Sequence, residues 1–261
     1  MREIEKAFES ATLVIFGKPL SGVDNYGAWL KEKVKNAKVI KKKSKLSGQD
    51  VHVVSIDFFR LMGNNVVTLN ETVEMAKRSL SEQEVEELTV ENAPKLLQKI
   101  CTTSPEIIFG ENFDTEGAAC FGMTQHCYKT AFCFWSKKVA YSFWNRECDS
   151  VFGCSNLVLS SHCLKCHSST KLQRCFEVND SFSCSGCHFC HNCENLQECM
   201  FCFNAKDLRY AIGNVEVGRK AYMRVKELLC SQMHKELLKE KRLRHDIFSL
   251  GGANFSSDYK S

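Results

Sequence analysis

Every third residue from position 124 to position 211 is Cys, Ser, Thr, Val, Leu, Ala or Asn, and none of these thirty positions carries a charge or an aromatic ring. The nearby aromatics, including Phe132, Phe134, Trp135, Phe143, Trp144, Phe176 and Phe189, all fall on the other two phases. Thirteen of the sixteen cysteines share the one phase, at 127, 133, 148, 154, 163, 166, 175, 184, 187, 190, 193, 199 and 202. Random placement would do this about twice in a million trials, so the period is a structural repeat. A helix buries residues at a 3.6 spacing and a plain strand at 2.0, and neither sustains a period of three. A narrow β-solenoid does: short extended pieces turn at corners, and one residue in three points into a core that admits only small side chains. A lag of 21 pairs Cys163 with Cys184, Cys166 with Cys187 and Cys154 with Cys175, and a lag of 18 fits almost as well. Either predicts four or five coils about 4.8 Å apart.

Outside the repeat the pattern changes. Residues 1–117 read as a mixed α/β domain that caps or docks on the N-terminal end of the solenoid. Strand-like runs stand at 11–16 (ATLVIF), 51–56 (VHVVSI) and 65–69 (NVVTL). Trp29, Leu30 and Val34 suggest a helix within 26–39, and Ser81 with Glu84 forms a capping-box pattern. Asn92 is placed to cap a further helix, with Pro94 in its first turn and Leu96, Leu97 and Ile100 on its buried side. The solenoid is expected over 118–213. After it, residues 214–250 predict an amphipathic, basic capping helix folding back over the last coil. Its apolar stripe comprises Ala221, Val225, Leu228, Leu229, Met233 and Leu237. Residues 251–261 follow as a disordered tail. The fold class is therefore α+β.

Composition places the chain among ordinary globular proteins, at 261 residues with 44% hydrophobic and 25% charged. No apolar run approaches the ~18 residues of a membrane span. The opening MREIEKAFES lacks a secretory signal pattern. The expectation is a cytoplasmic protein whose cysteines are reduced or metal-bound rather than disulfide-bonded.

Four constellations could carry chemistry. Cys163-x-x-Cys166 and Cys184-x-x-Cys187 have the spacing of a four-cysteine zinc site, where soft thiolates close a tetrahedron. The competing reading is that the lattice itself generates CxxC pairs and that the cysteines are small buried hydrophobes. The run Cys184, Cys187, Cys190, Cys193 lacks the last spacing and the proline of an iron–sulfur run. CxxCH occurs at 163–167, 184–188 and 187–191, the haem-attachment pattern, but the last two share Cys187; His167, His188 and His191 are expected at solvent-facing corners. Lys31, Lys33, Lys35, Lys38, Lys41, Lys42, Lys43 and Lys45 crowd one stretch with a single acid, Glu32, and could contact nucleic acid through phosphates. Trp135 and Trp144 could then stack on bases, although the net charge of +4 favours a solvated face. No nucleophile with its base, paired carboxylates or phosphate-cradling glycine loop has a distinctive spacing.

The segment CHNCENLQECMFCFNAKDLRYAIGN (190–214), followed by GRKAYMRVKELL, resembles cysteine-triplet repeat proteins predicted from uncultured bacteria and archaea. Asp207 stands where those proteins carry Asn. The resemblance covers about 120–229, implies the repeat, and brings no established activity. Many such proteins carry a separate zinc-ribbon motif upstream, and this chain has no CxxC before Cys163.

Together these observations predict a non-enzymatic binding or scaffolding module with a protein partner or self-association. Its candidate partner surface is Phe134, Trp135, Phe143 and Trp144. The alternative is a zinc module on Cys163, Cys166, Cys184 and Cys187 that contacts RNA or DNA through Lys38, Lys41, Lys42, Lys43 and Lys45. An enzyme ranks third, and no membrane association is expected.

Overall fold

The computed structural model describes residues 2–34, 39–54 and 65–250. Its centre is a parallel β-solenoid in which each residue pairs with the one twelve further on. Ala119 faces Ala131, Ala131 faces Phe143, Phe143 faces Ser155, and Ser155 faces His167. On another side Lys137 faces Asp149, which faces Ser161. Bridges carry the same register from Phe113 to Ile212, giving about eight coils of four triplets and a height of roughly 38 Å. The lags of 21 and 18 are thus corrected to twelve, and the solenoid begins about a coil earlier than residue 118.

The backbone explains why three is the unit. In nearly every triplet the residue preceding the inward position is left-handed, as in His126, Lys129, Trp135, Trp144, Asn192 and Asn204, with φ near +50°. That kink turns a corner after each short extended piece. Left-handed backbone costs about 1–2 kcal/mol at ordinary residues and less at Asn, Asp and Gly. The late coils accordingly place Asp180, Asn192, Asn195, Asn204 and Asp207 there.

Two N–H groups per triplet bond to neighbouring coils through the backbone: Tyr128 donates to the Val139 carbonyl and Lys129 to that of Glu116, both at 2.9 Å. The third belongs to the inward residue, and at several positions its partner is a side chain. The Cys148 N–H donates to Ser136 Oγ, Cys154 to Ser142 Oγ, Cys166 to Cys154 Sγ and Ser181 to Ser169 Oγ, at 3.0–3.2 Å. Each partner lies one coil earlier in the same column. The inward thiols also donate, Cys154 Sγ to the Phe152 carbonyl at 3.3 Å and Cys166 Sγ to that of Cys175 at 3.4 Å. The lattice therefore favours a side chain that is small and both donates and accepts, which describes Cys, Ser and Thr.

Both ends are closed by side chains. Asn112 Oδ1 accepts the Thr124 N–H and hydroxyl, supplying what a preceding coil would, and Phe121 plugs the first layer of the core. At the far end a short antiparallel hairpin, Ala211–Ile212 with Val215–Glu216, terminates the stack. Asn214 both donates to and accepts from the Phe203 backbone, and Glu216 accepts the Arg209 N–H. These contacts block the sheet edge that would otherwise pair with another chain.

The outer faces differ by column. One column reads Tyr128, Ala140, Phe152, Leu164, Phe176, His188 and Met200, and all seven are buried. Much of this face is covered by a helix at Glu3–Phe16, which includes the 11–16 run expected as a strand. Its buried residues Ile4, Ala7, Phe8, Ala11, Thr12, Ile15 and Phe16 follow helical spacing from the start, so the β-branched run is only its last turn. Gly17 ends it in a left-handed cap. Asp24 then pins this segment, accepting from Arg2, Tyr128, Lys129 and Tyr141. Gly153 sits at a left-handed corner where a Cβ would come within 2.8 Å of the Leu30 carbonyl, so glycine lets the two segments touch.

A helix at Gly218–Glu240 touches the last coil, where Tyr222 packs on Tyr210, and runs back against the first helix. It ends at Glu240, ten residues before the expected limit, and its buried face is Tyr222, Cys230, His234 and Leu237, while Leu228 is exposed. The polar members explain this rotation. Cys230 Sγ donates to the Ile15 carbonyl, and His234 Nε2 bonds the Pro19 carbonyl, satisfying groups left open where the N-terminal helix stops.

Elsewhere the described part of the 26–39 segment holds a helix at Gly27–Lys31, residues 35–38 lie outside the described residues, and the 65–69 strand reduces to a bridge from Val66 to Thr103. A hairpin of Val39–Lys43 and Asp50–Val54 packs Val39 and Val54 on the early coils. The Ser81–Glu84 capping box is present, whereas the helix at Ala93–Leu96 has no buried residue and no side-chain cap from Asn92. Residues 55–56 and the tail 251–261 lie outside the described residues.

Replacing Cys154 by Val removes the acceptor of the buried Cys166 N–H, whereas Ser retains one. Denaturant unfolding is expected to show Cys154→Val about 1–3 kcal/mol less stable than Cys154→Ser. Equal stability of the two variants would contradict the bridging role.

Candidate functional site

The most distinctive outer surface lies on the early coils. Twelve-residue stacking sets Arg146 directly above Phe134, with Trp135 and Trp144 on the corners at either side of that face. Phe109 stacks on Phe134 at 5.6 Å between centroids and touches Trp135 at 5.3 Å. Arg146 lies 4.9 Å from the Trp135 ring, a cation–π contact worth about 0.5–1 kcal/mol when exposed. On the other corner Trp144 stacks on Phe132 at 5.0 Å and tilts against Phe143.

The four residues singled out from sequence therefore divide by role. Phe143 and Phe134 are half-buried beside Val39 and Val54 of the hairpin, so they form part of the dock for the N-terminal region. Trp135 and Trp144 stay 47% and 53% exposed. Both indoles occupy left-handed corners, an unfavourable place for a bulky side chain. Tyr141 and Phe189 occupy such corners too, but they are buried under the flanking helices. Among the described residues no element covers the two tryptophans. Arg146, Phe109 and the exposed Met123, one coil before Trp135 on the same corner, extend this surface and were missed from sequence. The twelve-residue register is the signal that would have assembled them.

The described lysines of the run divide among different partners. Lys41 and Lys43 pair with Asp50 at 3.5 and 2.6 Å. Lys45 donates to Asn65 and to the Gln98 carbonyl. Lys42 stands opposite Val51 in the hairpin, and Lys38 lies outside the described residues. Lys31 rests near the Tyr141 ring, and Lys33 pairs with Asp246 at 3.0 Å.

Cys163, Cys166, Cys184 and Cys187 are all buried in the core. Cys163 and Cys187 occupy one column two coils apart with Cys175 between them, and Cys166 and Cys184 stand in other columns. Their thiols donate to backbone carbonyls, Cys163 to Ser161 at 3.3 Å and Cys184 to Phe182 at 3.4 Å. Among the described residues no group of three or more His, Cys, Asp or Glu side chains is arranged to hold a metal ion. Burial pushes the Cys148 thiol up to about 11, which keeps it in the protonated form that donates.

The histidines depart from expectation. His167 and His188 are buried rather than at solvent-facing corners, and His191 is half-buried beside Asn179. His188 Nε2 faces the Ile15 carbonyl at 3.2 Å, so covering by the N-terminal helix removes it from water. Burial pushes both His167 and His188 down to about 4.

A second feature missed from sequence is a buried ion pair on one corner column. Lys165 and Glu177 are 0% and 1% exposed, and their charges approach to 3.6 Å. Lys165 Nζ also donates to the Trp29 carbonyl and reaches Glu32, while Glu177 accepts the Ile247 N–H at 3.0 Å. Burial pushes the Glu177 carboxyl up to about 7, and the Asp246 carboxylate adds to the rise. The Lys165 ammonium and the Ile247 N–H oppose it.

A carboxyl raised from 4.5 to about 7 favours the folded state below pH 4.5, and that contribution is lost as pH climbs through 7. His167 and His188, held down at about 4, act in the opposite sense between pH 4 and 6.5, so the Glu177 contribution is read by difference. The stability of wild type relative to Glu177→Gln should fall by up to about 3 kcal/mol between pH 4.5 and 7. A pH-independent difference between the two proteins in denaturant titrations would contradict this assignment. No protein-family model, curated protein or solved structure matches the chain.

Proposed function

We propose that the protein is a non-enzymatic binding module whose rigid solenoid presents the Trp135–Arg146–Trp144 surface to another protein. The observation that carries this reading is the pair of half-exposed indoles held at left-handed corners with no covering element among the described residues. Unfavourable backbone positions kept at bulky, half-exposed residues point toward function. The residue types support a protein partner. Trp and Arg dominate the energetics of protein interfaces, and Phe and Met are enriched there. Phe109 and Met123 supply an apolar surround, and Arg146 supplies directional hydrogen bonding beside it.

The second reading, nucleic-acid binding through the lysines with bases stacked on the tryptophans, rests on the same indoles. It is weakened by the Asp50 pairs that occupy Lys41 and Lys43.

A photo-crosslinking residue in place of Trp144, used in the native host, should recover one protein. Its purified form should bind the full chain and lose at least about tenfold in affinity on Trp135→Ala/Trp144→Ala. Both indoles are half-exposed, so the double variant should keep the fold, losing only their surface stacking and cation–π contacts. Crosslinks to nucleic acid, with binding that falls steeply as salt rises, would overturn the protein-partner reading in favour of the second. A recovered protein that binds wild type and double variant equally would overturn both.

A further inference from the structure

A separate basin lies in the N-terminal region, away from the solenoid. It has a volume of about 540 Å³, within the range of small-molecule sites. Its apolar lining is Leu46, Val67, Met75 and Leu96, with Val67 and Met75 buried. Four cations, Lys45, Arg78, Lys95 and Lys99, stand around it with one carboxylate, Glu84.

That carboxylate is already committed. Glu84 accepts from Lys99, from the Ser81 hydroxyl at 3.0 Å and from the Ser81 N–H at 2.8 Å, which closes the capping box. One acid thus balances one cation, and three positive charges remain. Lys45 is held in place by Asn65 Oδ1 at 3.2 Å and the Gln98 carbonyl at 3.0 Å, neither of which carries charge. Among the described residues the side chains of Arg78 and Lys95 have no ionic or hydrogen-bond partner. Three like charges converging on one apolar floor repel one another, and the arrangement gains energy when an anion enters between them.

We propose that this basin binds a small organic anion, an apolar or aromatic body bearing a carboxylate, sulfonate or phosphate. The body would rest on Leu46, Val67, Met75 and Leu96, while Arg78 takes the head group in a forked contact and Lys45 and Lys95 add charge. The site is independent of the tryptophan surface and involves no covalent step.

The test uses the full chain and the fluorescent aromatic sulfonate 8-anilinonaphthalene-1-sulfonate as probe. It should bind saturably and be displaced by phenyl phosphate, but not by the neutral benzyl alcohol at the same concentration. Arg78→Glu/Lys95→Glu should weaken the probe at least about tenfold, and Arg78→Lys/Lys95→Arg should restore most of the affinity. Both positions are exposed, so circular dichroism and thermal unfolding should be unchanged. Trp135→Ala/Trp144→Ala should leave probe affinity as it is. Binding that survives charge reversal, equal displacement by the neutral alcohol, or loss of the probe only with the tryptophan variants would each overturn the proposal.

Discussion

The fold depends on a contact made at eight inward positions among the described residues: the N–H donating to the side chain twelve residues earlier. A twelve-residue coil leaves that N–H pointing into an interior too narrow for water. An unpaired buried N–H costs about 1–3 kcal/mol, and the loss would recur at each column. Oxygen or sulfur one bond from Cβ reaches it, and the same atom can donate to a carbonyl nearby. Ser142, Ser160, Ser169, Ser181 and Cys154 all serve in this way. Where Val151, Leu157 or Val178 takes the place, the gain is apolar packing in the same layer. The cysteines serve mainly as small buried side chains whose thiols donate to nearby carbonyls, and Cys154 Sγ also accepts an inward N–H.

The period of three, its inward phase and the α+β class are legible in the sequence because every inward column shares one chemistry. That same uniformity hides the coil length. When every column is built from Cys, Ser, Val and Leu, any lag divisible by three aligns cysteine with cysteine, so 18 and 21 score as well as twelve. The outer phases break the degeneracy. Residues Phe152, Leu164 and Phe176 repeat at twelve on the buried side, and Lys137, Asp149 and Ser161 repeat at twelve on a polar one. The N-terminal helix was obscured for a different reason. Its last turn is β-branched and reads as a strand by itself, and only the apolar stripe beginning at Ile4 shows otherwise.

Surface chemistry is less legible because it is assembled across coils. Trp135 and Trp144 are visible as candidates from residue type alone, but Arg146 joins them only once Phe134 is known to lie beneath it. Lys165 and Glu177, also twelve apart, look like two unrelated surface charges until the corner column that stacks them is covered by Trp29 and Ile247. The CxxC spacings mislead in the opposite direction. They resemble a ligand set in one dimension, while the twelve-residue register distributes Cys163, Cys166, Cys184 and Cys187 over different layers and columns.

The central claim is that the cysteines are core residues of a twelve-residue solenoid. The most direct test counts thiols that react with a small alkylating agent, in the native and the denatured protein, with and without a metal chelator. The structure predicts that Cys101, the one exposed cysteine of the sixteen, reacts natively, and that the other fifteen react only after unfolding whether or not chelator is present. Release of a set of thiols by chelator alone, or rapid labelling of several core cysteines in the folded protein, would contradict it.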